Sequence, residues 1–208
     1  MDVEWATRVR PAARPLAASL VCVLGATALL AAGLAAVRVM RAVTLPWVIV
    51  PIVPADIYGL PRPEGLPPGA HAYAVDAGYA MLVDVVPLGQ RLFLAAGQAS
   101  GPLAVAVGAA ALARLGHLWA SRSTPFTRQA PRLVAAVAAA VAVAGVVAPL
   151  VHRAAATAVV ADLGPETRVH AAVTVQWWWL PVSLGIAALV PVFASGRRLQ
   201  DAAEEGKE

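Results

Sequence analysis

The chain has 208 residues, 60% of them hydrophobic, 13% charged and 6% aromatic, with a formal net charge of +4. A soluble globular domain carries charge on about a quarter of its residues, so the composition excludes an ordinary water-soluble domain and points to helices that face lipid. Cys22 is the only cysteine, which excludes an internal disulfide and a thiolate metal site.

Four runs without charge, Pro15 to Val37, Leu92 to Ala113, Leu133 to Val151 and Ala171 to Gly196, are each close to or above the length that crosses a membrane as helix. The first run follows Arg8, Arg10 and Arg14. It exceeds the roughly 7 to 15 apolar residues of a secretory signal region, so residues 15–37 are predicted to be a spanning helix and not a cleaved leader.

Residues 42–91 come next. Pro46, Pro51, Pro54, Pro61, Pro63, Pro67 and Pro68 exclude a long helix there. The "WVIV" of Trp47 to Val50 reads as a short extended piece, and "HAYAVDAGYAMLVDVV" from His71 to Val86 reads as two strands turning at Asp76, Ala77 and Gly78. This segment is predicted to be a small β-rich cap outside the cytoplasm.

The second span, 92–113, carries Gly97 and Gly101 four residues apart, and Ser100, Ala104 and Gly108 extend a ridge of small residues. Such ridges let helix backbones approach closely in lipid. Gln98 lies beside the ridge, and Pro102 removes the N–H that its carbonyl would receive in a regular helix. A bend with spare hydrogen-bonding groups is predicted. It reads as an interhelical hydrogen bond worth about 0.6 kcal/mol, or alternatively as a polar niche or gate.

The loop 114–132 holds Arg114, Arg122, Arg128 and Arg132 and no acidic residue. The third span is predicted over 133–151, an outer segment follows, and Val169, Ala171, Val173 and Val175 alternate there as a further strand would. The fourth span, 175–195, opens with "QWWWLP". Pro181 frees the carbonyl of Trp177 and Pro191 that of Ala187, so this span too is predicted to bend. Residues 196–208 form a polar tail.

Positive charge sets orientation. The basic loop and both termini are placed in the cytoplasm, while the opposite segments mix arginine with Asp56, Glu64, Asp76, Asp84, Asp162 and Glu166. Arg38 and Arg41, directly after the first span, run against this assignment. Trp177, Trp178 and Trp179 then fall at the outer interface, where indole rings anchor a helix; a ligand-facing aromatic cage is the sharper alternative. The basic balance fits topology and attraction to anionic lipid, and no direct binding of nucleic acid is expected.

No ionisable residue sits at the centre of a span, which argues against a coupled transporter. His71, Asp76, Asp84, His152 and His170 match no zinc or calcium spacing. No nucleophile elbow, phosphate-binding glycine loop or paired-His helix motif is present, so no catalytic residue, metal or cofactor is predicted.

Two cytoplasmic stretches carry a resemblance: "TPFTRQAPRL" (Thr124 to Leu133) and "FASGRRLQDAAEE" (Phe193 to Glu205). Together with the span order they resemble an uncharacterised bacterial family of four-span inner-membrane proteins, a domain of unknown function often encoded beside small helix-turn-helix regulators. The resemblance implies a membrane partner for such a regulator. Pro131 within the loop motif and the ending "EEGKE" depart from the family pattern. Without the family, Thr124 can cap a helix, Pro125 suits its first position and Phe126 anchors it at the inner interface.

The sequence therefore reads as an all-α membrane protein, a four-transmembrane-helix bundle with a small extracytoplasmic β-rich cap, in a bacterial inner membrane. The expected role is non-enzymatic: sensing or signalling through a cytoplasmic protein docked on Arg122, Arg128, Arg132, Arg197 and Arg198. Those arginines also serve topology and lipid contact, and a small permease or export accessory built around Gln98, Pro102 and Pro181 is the competing reading.

Overall fold

The computed structural model describes residues 4–54, 66, 68–75, 78–84, 86–121, 127–164 and 169–206. The turn residues Asp76 and Ala77, and Arg122, Thr124, Pro125 and Phe126 of the basic loop, lie outside them. The chain is mostly helical: α1 (Glu4–Thr44), α2 (Leu88–Ser121), α3 (Ala130–Ala142), a π-helical turn (Val143–Val147), α4 (Ala148–Asp162), α5 (Trp179–Ala187) and α6 (Leu189–Glu205). Four strands join them: β1 (Val48–Pro54), β2 (Ala70–Val75), β3 (Gly78–Val83) and β4 (Val169–Ala171). Among the described residues four helical stretches are long and apolar enough to cross a membrane: Ala18–Thr44, Leu88–Ser121, Ala130–Asp162 and Trp179–Ala203.

Helices extend past the charge-free runs, because a charged residue does not end a helix that alanine favours. The third is the clearest case. The run "RAAATAVVAD" continues as α4 to Asp162, so His152 and Arg153 are helical and not part of an outer loop. Pro149 has no N–H for the carbonyl of Gly145, and the helix takes π register over Val143–Val147 directly before it. Gly164, at φ +90°, ends α4 in a conformation that favours glycine.

The contacts divide the chain into two compact units. One comprises residues 33–102 and 143–177 and contains the antiparallel sheet, ordered β2-β3-β1-β4. In β1, Val48, Val50 and Ile52 are buried and Ile49 and Val53 are exposed, the alternation that one covered face demands. Val50, Ile52 and Met81 are the largest fully buried side chains, and they pack with Leu94 of α2 and with Ala155, Ala156, Val159 and Val160 of α4. Pro51 sits in a central strand, yet its own carbonyl accepts from Ala172 N just beyond the end of β4, at 2.9 Å, so the missing N–H faces the edge of the ladder and not its middle. The strand expected over 169–175 is shorter, ending at Ala171.

The other unit comprises residues 1–32, 103–142 and 178–208. Its core joins Leu115, Ala130 and Val134 to Ile186, Val190 and Phe193. Ser183 is buried and donates to the carbonyl of Ala138 at 2.9 Å, a polar tie between α5 and α3. One turn residue, Ala188, separates α5 from α6, beside the carbonyl of Ala187 that Pro191 leaves without its N–H. Pro181 lies in the first turn of α5, where its missing N–H disturbs nothing.

Candidate functional site

An open cavity of about 410 Å³ lies within the sheet-bearing unit. Its polar wall is basic: Arg38 and Arg41 from the end of α1, Arg91 from the start of α2, and His152 from α4, with Gln98 between them. Arg38 and Arg41, three apart, share one face of α1, and Arg91, Leu94, Ala95 and Gln98 share one face of α2 by the same helical spacing. The sheet closes the other side with Trp47, Val48, Ile49 and Pro51 of β1 and its approach and with Tyr79 and Ala80 of β3. None of the described lining residues is acidic.

Among the described residues each guanidinium makes one contact, which leaves most of its five N–H groups uncommitted. Arg38 Nη1 donates to the carbonyl of Gln98 at 2.6 Å. That carbonyl is available because Pro102 brings no N–H to it, so a defect in α2 becomes the anchor of a side chain sixty positions earlier. Arg91 Nη1 donates to the carbonyl of Leu45, one of the acceptors that the end of α1 leaves exposed, where the helix dipole also favours a cation. The guanidinium of Arg41 stands 5.6 Å from the centre of the Trp47 ring, in cation–π contact. Arg91 Nε and His152 Nε2 are buried and have no hydrogen-bond partner among the described residues.

Gly97 brings His152 to this wall. A Cβ built on Gly97 would stand 2.5 Å from His152 Cα and 2.6 Å from its nitrogen, so the backbone of α4 rests where a side chain would otherwise be. At Gly101 the corresponding approach, to Ala148 Cβ, is an ordinary 3.6 Å. The ridge of small residues thus has its tight point at Gly97, and Ser100 turns its hydroxyl back to the carbonyl of Gly97 at 3.0 Å.

Gly97 and Gln98 therefore stand at the cavity wall, with Gly101 and Pro102 one turn further along α2. The tryptophans are elsewhere. Trp177 and Trp178 are exposed and precede the helix, which begins at Trp179, and Trp178 stacks on Trp179 with ring centres 3.8 Å apart. Arg128, Arg132 and Arg198 are exposed, and Arg197 pairs with Asp201 at 3.4 Å one turn later. His71 and His170 are exposed on separate strands, and among the described residues no group of three or more His, Cys, Asp or Glu could hold a metal ion.

Sequence reasoning did not assemble Arg38, Arg41, Arg91 and His152 into a site. The available signal was the pair Arg38 and Arg41, which ran against the orientation expected from the other arginines. No family model matches the chain, and no curated protein or solved structure is significantly similar to it.

Proposed function

We propose that the chain is a multi-pass protein of a bacterial inner membrane that holds an anion in the arginine cavity and acts by sensing or signalling, not by catalysis. One observation carries the reading: a cavity lined by Arg38, Arg41, Arg91 and His152 with no described carboxylate, where Arg91 Nε and His152 Nε2 are buried and find no hydrogen-bond partner among the described residues. A buried polar group left unpaired costs about 1–3 kcal/mol. Three like charges around one space also repel, and an anion relieves both penalties at once.

Membrane insertion is supported by the apolar faces that the fold leaves uncovered. In α1 the most apolar window is only 6% buried, with Leu29 and Leu30 among its exposed residues. Lipid is the solvent that tolerates such a surface. Both termini and the basic loop are placed in the cytoplasm and the sheet outside, by the distribution of arginine. Arg38, Arg41 and Arg91 then lie on the outer side, where the positive-inside rule predicts few arginines, and ligand binding gives them a reason to be there.

The output is assigned to a cytoplasmic protein, a helix-turn-helix regulator being the partner that the loop and tail motifs imply. Exposed Arg128, Arg132, Arg198 and Leu199 offer it a basic surface with an apolar contact. A permease gated at Gln98 is the weaker reading, since Arg38 already occupies the carbonyl that such a gate would use.

The test is thermal unfolding of the purified protein in a neutral detergent, across a panel of carboxylates, sulfate, phosphomonoesters and phosphodiesters. A ligand at a hundred times its Kd stabilises by about 2.7 kcal/mol. At least one anion should raise the Tm of the wild type and not that of the Arg38→Gln, Arg41→Gln double variant. If no anion separates the two proteins, the reading is wrong.

A further inference from the structure

We infer that the cavity's ligand is a phosphomonoester carried on an apolar chain, that is, the headgroup of an anionic lipid with a terminal phosphate. The inference rests on the anion-binding reading above and names the anion.

Charge and geometry select the group. The Arg38, Arg41 and Arg91 guanidiniums and the imidazole of His152 converge from three helices onto one space. A carboxylate brings one charge and two oxygens lying in a plane, too few to engage donors that arrive from three directions. A phosphodiester also carries a single charge. A phosphomonoester carries close to two charges at neutral pH and presents three terminal oxygens. It can accept from the N–H groups that Arg38 and Arg91 do not spend on the carbonyls of Gln98 and Leu45, and still receive Arg41, whose present contact is the face of Trp47.

Shape and position select the carrier. Beside and between the arginines the wall is largely apolar, with Leu45, Val48, Ile49, Ala80, Leu94 and Ala95 in the lining. A free phosphate ester would leave that wall wet. The cavity of 410 Å³ measures about 7 Å on a side if taken as a cube. It therefore admits a headgroup and the first methylenes of a chain, while a full acyl chain spans half of a hydrocarbon layer about 30 Å thick. Arg38 and Arg41 lie in the last turns of an apolar stretch that begins at Ala18, so the cavity stands at a helix end where headgroups reside and the remainder of the chain can follow the exposed apolar face of α1.

The experiment uses the full chain in nanodiscs of zwitterionic lipid doped with phosphatidic acid or with phosphatidylglycerol, and, in separate arms, soluble glycerol 3-phosphate and succinate added to undoped discs. Retention of one lipid per protein by native mass spectrometry and the shift in Tm are read together. Wild type should retain phosphatidic acid at least about tenfold more tightly than phosphatidylglycerol. Arg41→Gln should lose that preference at least tenfold, and Arg153→Gln, at an exposed arginine outside the lining, should keep it. Arg41→Lys retains the charge without the planar fork and should fall between them, which keeps the test open if the glutamine variant is poorly folded. Equal retention of the two lipids overturns the phosphomonoester assignment, and glycerol 3-phosphate binding as tightly as phosphatidic acid overturns the lipid carrier. Succinate binding in the absence of any phosphate binding overturns the inference while the anion reading stands. No binding in any arm overturns both.

Discussion

Replacing Gly97 with alanine adds one methyl group, and the structure says where it must go. The new Cβ would lie 2.5 Å from His152 Cα, 2.6 Å from its nitrogen and 3.0 Å from its Cβ. These are backbone atoms and the root of a side chain, so no rotamer change relieves the overlap. The two helices must separate by close to 1 Å to restore ordinary contact. Overpacking of this kind costs about 1–3 kcal/mol, against which alanine returns up to about 1 kcal/mol of helix propensity. With the full propensity gain the net loss is up to about 2 kcal/mol. Gly101→Ala is the matched control: it lies one turn along the same helix, its Cβ would meet Ala148 Cβ at 3.6 Å, and it keeps the propensity gain without the overlap. The two variants should differ by the overpacking cost alone, about 1–3 kcal/mol, or about 2–12 °C in Tm for a chain of this size, measured by heating in detergent under identical lipid load. The separation also withdraws His152 from the cavity, so Gly97→Ala should weaken anion binding where Gly101→Ala does not. Equal melting temperatures for the two variants would refute the close approach and, with it, the positioning of His152.

Pro102→Ala restores the N–H that the Gln98 carbonyl lacks, and it should raise thermal stability by up to about 3 kcal/mol while weakening anion binding because Arg38 loses its anchor. Unchanged binding would show that this anchor does not pre-organise the cavity. In a Cys22→Ala background, a cysteine at Ser121 should resist an impermeant thiol reagent applied to spheroplasts and one at His71 should react; the reverse pattern would invert the proposed orientation. Charge reversal at Arg198 with removal of residues 201–208 should abolish co-purification of a cytoplasmic protein from native membranes while the labelling pattern stays unchanged. If the intact chain brings down no specific cytoplasmic protein, the signalling output fails and the anion site stands alone.

What the sequence made legible was local. Prolines between residues 46 and 68 exclude helix, alternating Val, Ile, Tyr and Met mark strands, and the strands form where that pattern runs. The order β2-β3-β1-β4 was not legible, because placing residues 169–171 beside β1 depends on α4 folding back over the sheet. His152 was read as a loop residue for a similar reason: polarity ended the apolar run, whereas the alanines beyond it continue the helix. At Pro102 the sequence shows a carbonyl in need of a donor but gives no way to find that donor in Arg38, since the pairing is made by tertiary contact. The arginines after the first span were the most informative failure. Arg38 and Arg41 run against the orientation expected from the other arginines, and the fold gathers those same two residues, with Arg91, around one cavity. Local rules give way where another demand outweighs them, and those positions are the places to look for function. Here the demand has a definite form: cations held at the wall of an apolar hollow by a proline gap, a helix end and an indole face, each of which fixes a guanidinium while leaving its remaining N–H groups to a ligand.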